Sequence, residues 1–173
     1  AAADFTAIID RVTDWDAQSP VAEWTARDVV NHLVEWLPGF LRQHGIELGS
    51  ISVTDSPAAD FAALAEAVQA LLDAPDADRL ITSNMFGEIP LSGMIDQFYT
   101  SDIYMHSWDL ARSNGIDPQL DPAFAAQLYT GMQPMAKVIR ESGQFGDQQP
   151  VADDADDVAK LIAFIGRDPE WSR

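Results

Sequence analysis

The chain of 173 residues contains no cysteine. Disulfides, thiolate metal ligands and a nucleophilic thiol of its own are therefore excluded, and any thiol chemistry would need a thiol from outside. Cationic residues are scarce: ten Lys and Arg against 28 Asp and Glu leave a net charge of −18. Binding a phosphate backbone requires a basic footprint that so few cations cannot make, so nucleic acid and anionic membrane are excluded as partners. No run of about 18 apolar residues occurs, and no membrane span is predicted. The opening AAADFTAIIDRV has no basic stretch followed by a long apolar core, which predicts no signal peptide and, by default, a cytoplasmic protein. Repeats, low-complexity tracts and linkers are also missing, so residues 1–173 read as a single helical domain.

With 47% hydrophobic and 22% charged residues, the composition is that of a globular protein able to bury a core. The chain reads as consecutive amphipathic helices separated by joints rich in Pro, Gly and Asp. The first is predicted over 3–16. The second starts at Thr25-Ala26-Arg27-Asp28, a capping box, and runs to about His44 with Val29, Val30, Leu33, Leu37 and Leu41 at helical spacing. Pro38 inside it predicts a kink. A third helix covers 58–73, and the short apolar pieces between 80 and 91 suggest one brief extended segment. A long helix runs from Ser92 to the stop at Asn114-Gly115, another from Pro122 to Glu141 with a kink at Pro134, and the last over 154–166. The acidic run at 153–157 precedes VAKLIAFI, where carboxylates favour a helix N-terminus, so it reads as helix punctuation rather than a cation site. The fold class is all-α, an up-and-down bundle.

The most informative element is the helix SGMIDQFYTSDIYMHSWDLARSN. At about 100° per residue, Ile95, Phe98, Tyr99, Ile103 and Leu110 form one apolar face, with Asp102 and His106 near its middle and Asp109 at its edge. A carboxylate pointed into a core needs a partner, and His106, one turn away, is the nearest. Two ligands at i and i+4 also converge on one point, which suits a divalent ion. A buried Asp–His pair without metal fits the same spacing, and two ligands alone are not a site.

A third ligand would have to be His32 or His44, the other two histidines. His44 projects nearer the centre of the second helix's apolar stripe if that helix is straight, an extrapolation Pro38 makes unsafe. It also lies just before Gly45, where a cation at a helix C-terminus is favourable without any metal. Composition and spacing do not decide between them.

The segments EWTARDVVNHLVEW (23–36) and SDIYMHSWDLARSNG (101–115), with the tail QFGDQQPVADDADDVAKLIAFIGRDPEW, resemble an actinobacterial metal-binding family. That family is related to mycothiol-dependent maleylpyruvate isomerase, within the DinB/YfiT-like metalloenzyme superfamily. The resemblance implies an up-and-down four-helix bundle with additional short helices. It also implies metal ligation by His32, Asp102 and His106. Many superfamily members have a third histidine or a Glu where this chain has Asp102, one methylene shorter than Glu.

Two histidines and a carboxylate leave coordination positions open, and Zn²⁺ first, then Ni²⁺ or Fe²⁺, suit the set. The resemblance further implies mycothiol as cosubstrate, activated by the metal as its thiolate, and an electrophilic small-molecule substrate undergoing isomerisation or S-transfer. A metal-assisted hydrolase and a non-catalytic metal- or small-ligand-binding domain are the alternatives. Asp109 and Arg112 are candidates to support the ligands from behind, and Trp36, Tyr99 and Trp108 to line a pocket, against ion-pair and core roles for each. A homodimer is left open.

Overall fold

The computed structural model describes residues 1–83 and 87–173. Helix α1 spans Ala2–Ile9, α2 Ala26–Gln43 and α3 Pro57–Leu72. Strands β1 (Leu80–Ser83) and β2 (Gly87–Pro90) pair antiparallel, Ile81 opposite Ile89 and Thr82 opposite Glu88. The following helical stretch has three parts: α4 (Leu91–Met94), a π-helical segment (Ile95–Thr100) and α5 (Ser101–Ser113). After it come α6 (Pro122–Met132), a 3₁₀ turn (Gln133–Met135), α7 (Ala136–Glu141) and α8 (Asp157–Phe164).

The molecule is mostly helical, but the all-α expectation needs one correction, the small two-stranded sheet. Its cause is local: the β-branched Ile81, Thr82 and Ile89 favour extended backbone, and Ile81 gains burial in the core. Residues 84–86, within the predicted extended stretch, lie outside the described residues. The predicted first helix is also too long. Beyond α1 the Asn114 side-chain oxygen accepts from the backbone N–H of Thr13 (3.1 Å) and Asp14 (2.9 Å), so a tertiary partner takes donors a helix would have used.

Other boundaries follow from the residues that set them. Thr25 Oγ1 accepts from Asp28 N–H and Asp28 accepts from Thr25 N–H, the reciprocal capping box that starts α2. Helix α2 continues through Pro38. The predicted 122–141 helix is interrupted at the 3₁₀ turn containing Pro134. Asp156 accepts from Ala159 N–H at 2.7 Å and caps α8, the punctuation expected of the acidic run.

Helix α5 sits between two hydrophobic clusters. Ile103, Leu110 and Ala111 join α1, α2 and α3 in the larger one, with Phe5, Leu33, Leu37 and Leu64. Tyr104, Met105 and Trp108 face the other, with Ala125 of α6 and Leu161, Ile162 and Phe164 of α8. Each fully buried Leu or Ile contributes about 1.5–3 kcal/mol. Polar side chains of α5 are thereby carried into the interior on a helix anchored on two sides. Among the described residues no helix is long and apolar enough to cross a membrane.

Candidate metal centre

Helix α2 presents His32 and Trp36 one turn apart, and α5 presents Asp102 and His106 in the same relation; the two helices pack together. Across that seam His32 Nε2 lies 3.3 Å from Asp102 Oδ2, and His106 Nε2 lies 3.5 Å from Asp102 Oδ1. One donor atom from each of the three residues lies within 4.8 Å of the other two. The group is graded in exposure, with side chains 33% accessible at His32, 18% at Asp102 and 7% at His106. His32 thus lies at the exposed edge of the group and His106 at its buried edge.

Trp36 Nε1 donates to Asp102 Oδ2 at 2.7 Å, leaving Oδ1 toward His106. Tyr99 packs edge-on against Trp36, and its hydroxyl points to Leu33 O at 3.4 Å. Burial, and then the charge on Asp102, push the Tyr99 hydroxyl pKa far above its ordinary value, so it stays protonated.

Behind His106, the carboxylate of Asp109 accepts from Nδ1–H at 2.9 Å and is itself fully buried. Arg167, from the segment after α8, donates through Nε to Asp109 Oδ1 (3.2 Å) and through Nη2 to Oδ2 (3.1 Å). Burial alone would raise the pKa of Asp109, but Arg167 and then His106 outweigh it and hold the group below its ordinary value. Asp102 behaves likewise: burial pushes its pKa up, while His106, His32 and the Trp36 N–H bring it below normal. His106 is the mirror case. Burial works against its charge, yet Asp102 and Asp109 flank both ring nitrogens and raise its pKa above 6.5.

A positive charge at His106, as its own proton or as a metal ion, balances the two carboxylates that flank it. With Nδ1–H given to Asp109, a neutral His106 turns its Nε2 lone pair toward a carboxylate oxygen 3.5 Å away. Only a proton or a metal ion makes that contact attractive. Ligand bonds of about 2.0–2.2 Å in tetrahedral geometry require donors about 3.3–3.6 Å apart. The 3.3 and 3.5 Å separations fall in that range, each to a different oxygen of Asp102, and the three donor atoms all lie within 4.8 Å of one another.

Of the residues anticipated from sequence, the structure brings His32, Asp102, His106, Asp109, Trp36 and Tyr99 together. It does not bring in Arg112 or Trp108. Arg112 Nε donates to Trp171 O at 3.0 Å, its guanidinium lies over Trp108, and both line a separate groove with Asp117, Leu120 and Asp156. His44 caps the end of α2, its ring edge-on to Phe40, outside the donor group.

Two members were missed. Trp24 places its indole 5.0 Å from the His32 ring and, nearly parallel, 5.8 Å from the His106 ring. It is presented by a tight turn: Ser19 N–H donates to Trp24 O (2.8 Å), Trp24 N–H to Val21 O (3.1 Å), and Glu23 adopts φ +63, uncommon for a residue with a side chain. The available signal was its place in EWTARD, eight residues before His32. Arg167 had no signal, being separated from Asp109 by 58 residues.

Residues 1–111 match the family described as mycothiol maleylpyruvate isomerase N-terminal domain. The chain belongs to that family. The match takes in His32, Asp102, His106 and Asp109 and ends within α5, whereas Arg167 lies beyond it. Two uncharacterized proteins of Mycobacterium tuberculosis, one from each of two strains, are 26% identical to the chain over 151 residues. The alignment spans 86% of this chain and 82% of theirs. No solved structure gives a significant match.

Proposed function

We propose that His32, Asp102 and His106 hold one divalent metal ion, Zn²⁺ in preference to Ni²⁺ or Fe²⁺, within a DinB/YfiT-like four-helix bundle. The observation carrying this reading is the facing of two imidazole nitrogens onto one carboxylate at 3.3 and 3.5 Å. These separations are long for hydrogen bonds, and they suit donors sharing an ion. Bound there, the metal supplies a Lewis acid that lowers the pKa of an incoming thiol and yields a nucleophile near neutral pH.

The chain's own residues then do the positioning. Trp36 fixes one carboxylate oxygen of Asp102, Asp109 fixes the ring of His106, Trp24 packs on both histidine rings and Tyr99 packs on Trp36. The open edge at His32 is where a small molecule enters. The reaction class is thiol-dependent isomerisation or S-transfer on an electrophilic small molecule in the cytoplasm, with mycothiol as the thiol. Membership of a family described by mycothiol supports this.

The test is metal analysis of the purified protein and of His106→Ala, followed by titration of the Co²⁺ form with a low-molecular-weight thiol. About one metal per chain is expected in the wild type and little in the variant, with a thiolate-to-cobalt absorption band on titration. Failure to take up metal after refolding with Zn²⁺ or Ni²⁺ would sink the reading. Metal uptake with no response to thiol would instead favour water activation, as in a hydrolase.

A further inference from the structure

All three guanidinium nitrogens of Arg167 donate hydrogen bonds. Two of its nitrogens grip both oxygens of Asp109, and Nη1 donates to Ile165 O at 3.2 Å. Its side chain is only 11% accessible, and that of Asp109 is 0%. Asp109 in turn makes its remaining contact with His106 Nδ1 at 2.9 Å.

The backbone that delivers Arg167 is held by capping hydrogen bonds and by a close crossing with another segment. Helix α8 ends in a Schellman motif: Gly166 N–H donates to Ala163 O (3.1 Å) and Arg167 N–H to Ile162 O (3.0 Å). Gly166 adopts φ +90, and a Cβ there would lie 2.5 Å from the Cα of Gly146. Both the left-handed backbone and this close crossing require glycine. The crossing pins the residue before Arg167 against the loop ahead of α8, and Gln149 N–H adds a bond to Ala163 O at 2.9 Å.

We propose that Arg167 is a positioning residue of the metal centre. Through Asp109 it fixes the ring plane and tautomer of His106, so the C-terminal segment beyond the family-matched residues belongs to the metal-binding unit. The inference rests on the reading that His32, Asp102 and His106 bind a metal ion. Its physical content is preorganisation. A carboxylate gripped on both oxygens by a planar fork cannot rotate, and the imidazole it holds keeps Nε2 aimed at the site. By reciprocity, metal binding tightens the docking of the Gly166–Arg167 segment.

Zn²⁺ affinity is to be measured by chelator competition on full-length wild type, Arg167→Met, Arg167→Lys and Gly166→Ala. Each is tested at a temperature where far-ultraviolet circular dichroism shows it folded. Arg167→Met and Gly166→Ala are expected to bind about 10–100-fold more weakly, the usual effect of removing a group that orients a ligand. Arg167→Lys keeps the counter-charge but loses the fork, and is expected to recover part of the loss. In the wild type, Zn²⁺ is expected to slow hydrogen exchange at the amides of residues 166 and 167. A folded Arg167→Met with wild-type affinity would overturn the proposal. If that variant fails to fold, wild-type affinity in Arg167→Lys overturns it equally. Absence of metal binding in the wild type defeats the underlying reading instead, so the two failures are distinguishable.

Discussion

Asp109 accepts a hydrogen bond from His106 at 2.9 Å, and this contact decides which nitrogen of the imidazole faces Asp102. A donor at Nδ1 leaves Nε2 for Asp102 and a cation. The pair lies on one turn of α5, so the helix itself builds the proposed ligand together with its support.

This geometry sets the pH dependence. In the metal-free protein the raised pKa of His106 contributes stability that is fully present below 6.5 and is lost as pH rises through the higher folded value. The lowered Asp102 and Asp109 contribute stability that is present above 3.8 and is lost as pH falls through their folded values. Metal binding runs against the first of these, because the ion must displace a proton from His106. From pH 6.5 upward, the apo melting temperature is expected to fall while the increase given by saturating Zn²⁺ grows. Scanning fluorimetry with Zn²⁺ and with chelator checks this. A Zn²⁺ effect constant over that range would contradict it.

Trp36→Phe keeps the aromatic packing against Phe40 and Tyr99 but removes the N–H that donates to Asp102 at 2.7 Å. Metal affinity should fall by about 10-fold. The apo protein should lose about 1 kcal/mol, the net worth of one hydrogen bond to a partly buried acceptor. Chelator competition and urea denaturation measure the two effects separately. His44→Ala is the matched control, and its metal affinity should equal that of the wild type.

Trp24 lies against both histidine rings, within 5.0 and 5.8 Å. Co²⁺ or Ni²⁺ bound between them should quench its fluorescence more than that of Trp15 or Trp171, which lie outside the group. Trp24→Phe should therefore remove a large share of the metal-dependent quenching, the remainder coming chiefly from Trp36 beside Asp102, while metal stoichiometry stays near one. Emission titration against metal analysis of the same sample gives the comparison, and undiminished quenching in the variant would count against the placement.

Half of the site was legible in one helix. The i, i+4 spacing of Asp102 and His106 inside an apolar stripe puts both on the core side of α5 whatever packs against it, and Asp109 follows one turn on. His32 was not decided by spacing. Extrapolated periodicity leaned toward His44, and only the crossing of α2 with α5 shows which turn of α2 meets Asp102. Family resemblance chose His32, on residues that lie within the matched stretch.

The π-helical segment was also hidden, since its six residues, IDQFYT, read as ordinary helix. It lies directly before Asp102, where one wider turn alters the phase of the donors against the preceding face. Arg112 and Trp108, plausible companions by helical spacing, are turned to the second cluster instead, because α5 is packed on both sides. The capping box of α2 and the acidic punctuation before α8 are properties of neighbouring residues, which suffice to specify them, whereas the end of α1 is set by Asn114 from 100 residues away. Which histidine faces Asp102, and the arrival of Arg167 on Asp109 from 58 residues away, depend on how helices pack and where backbones cross. Side-chain periodicity repeats every turn and so leaves that choice open; contact between elements closes it.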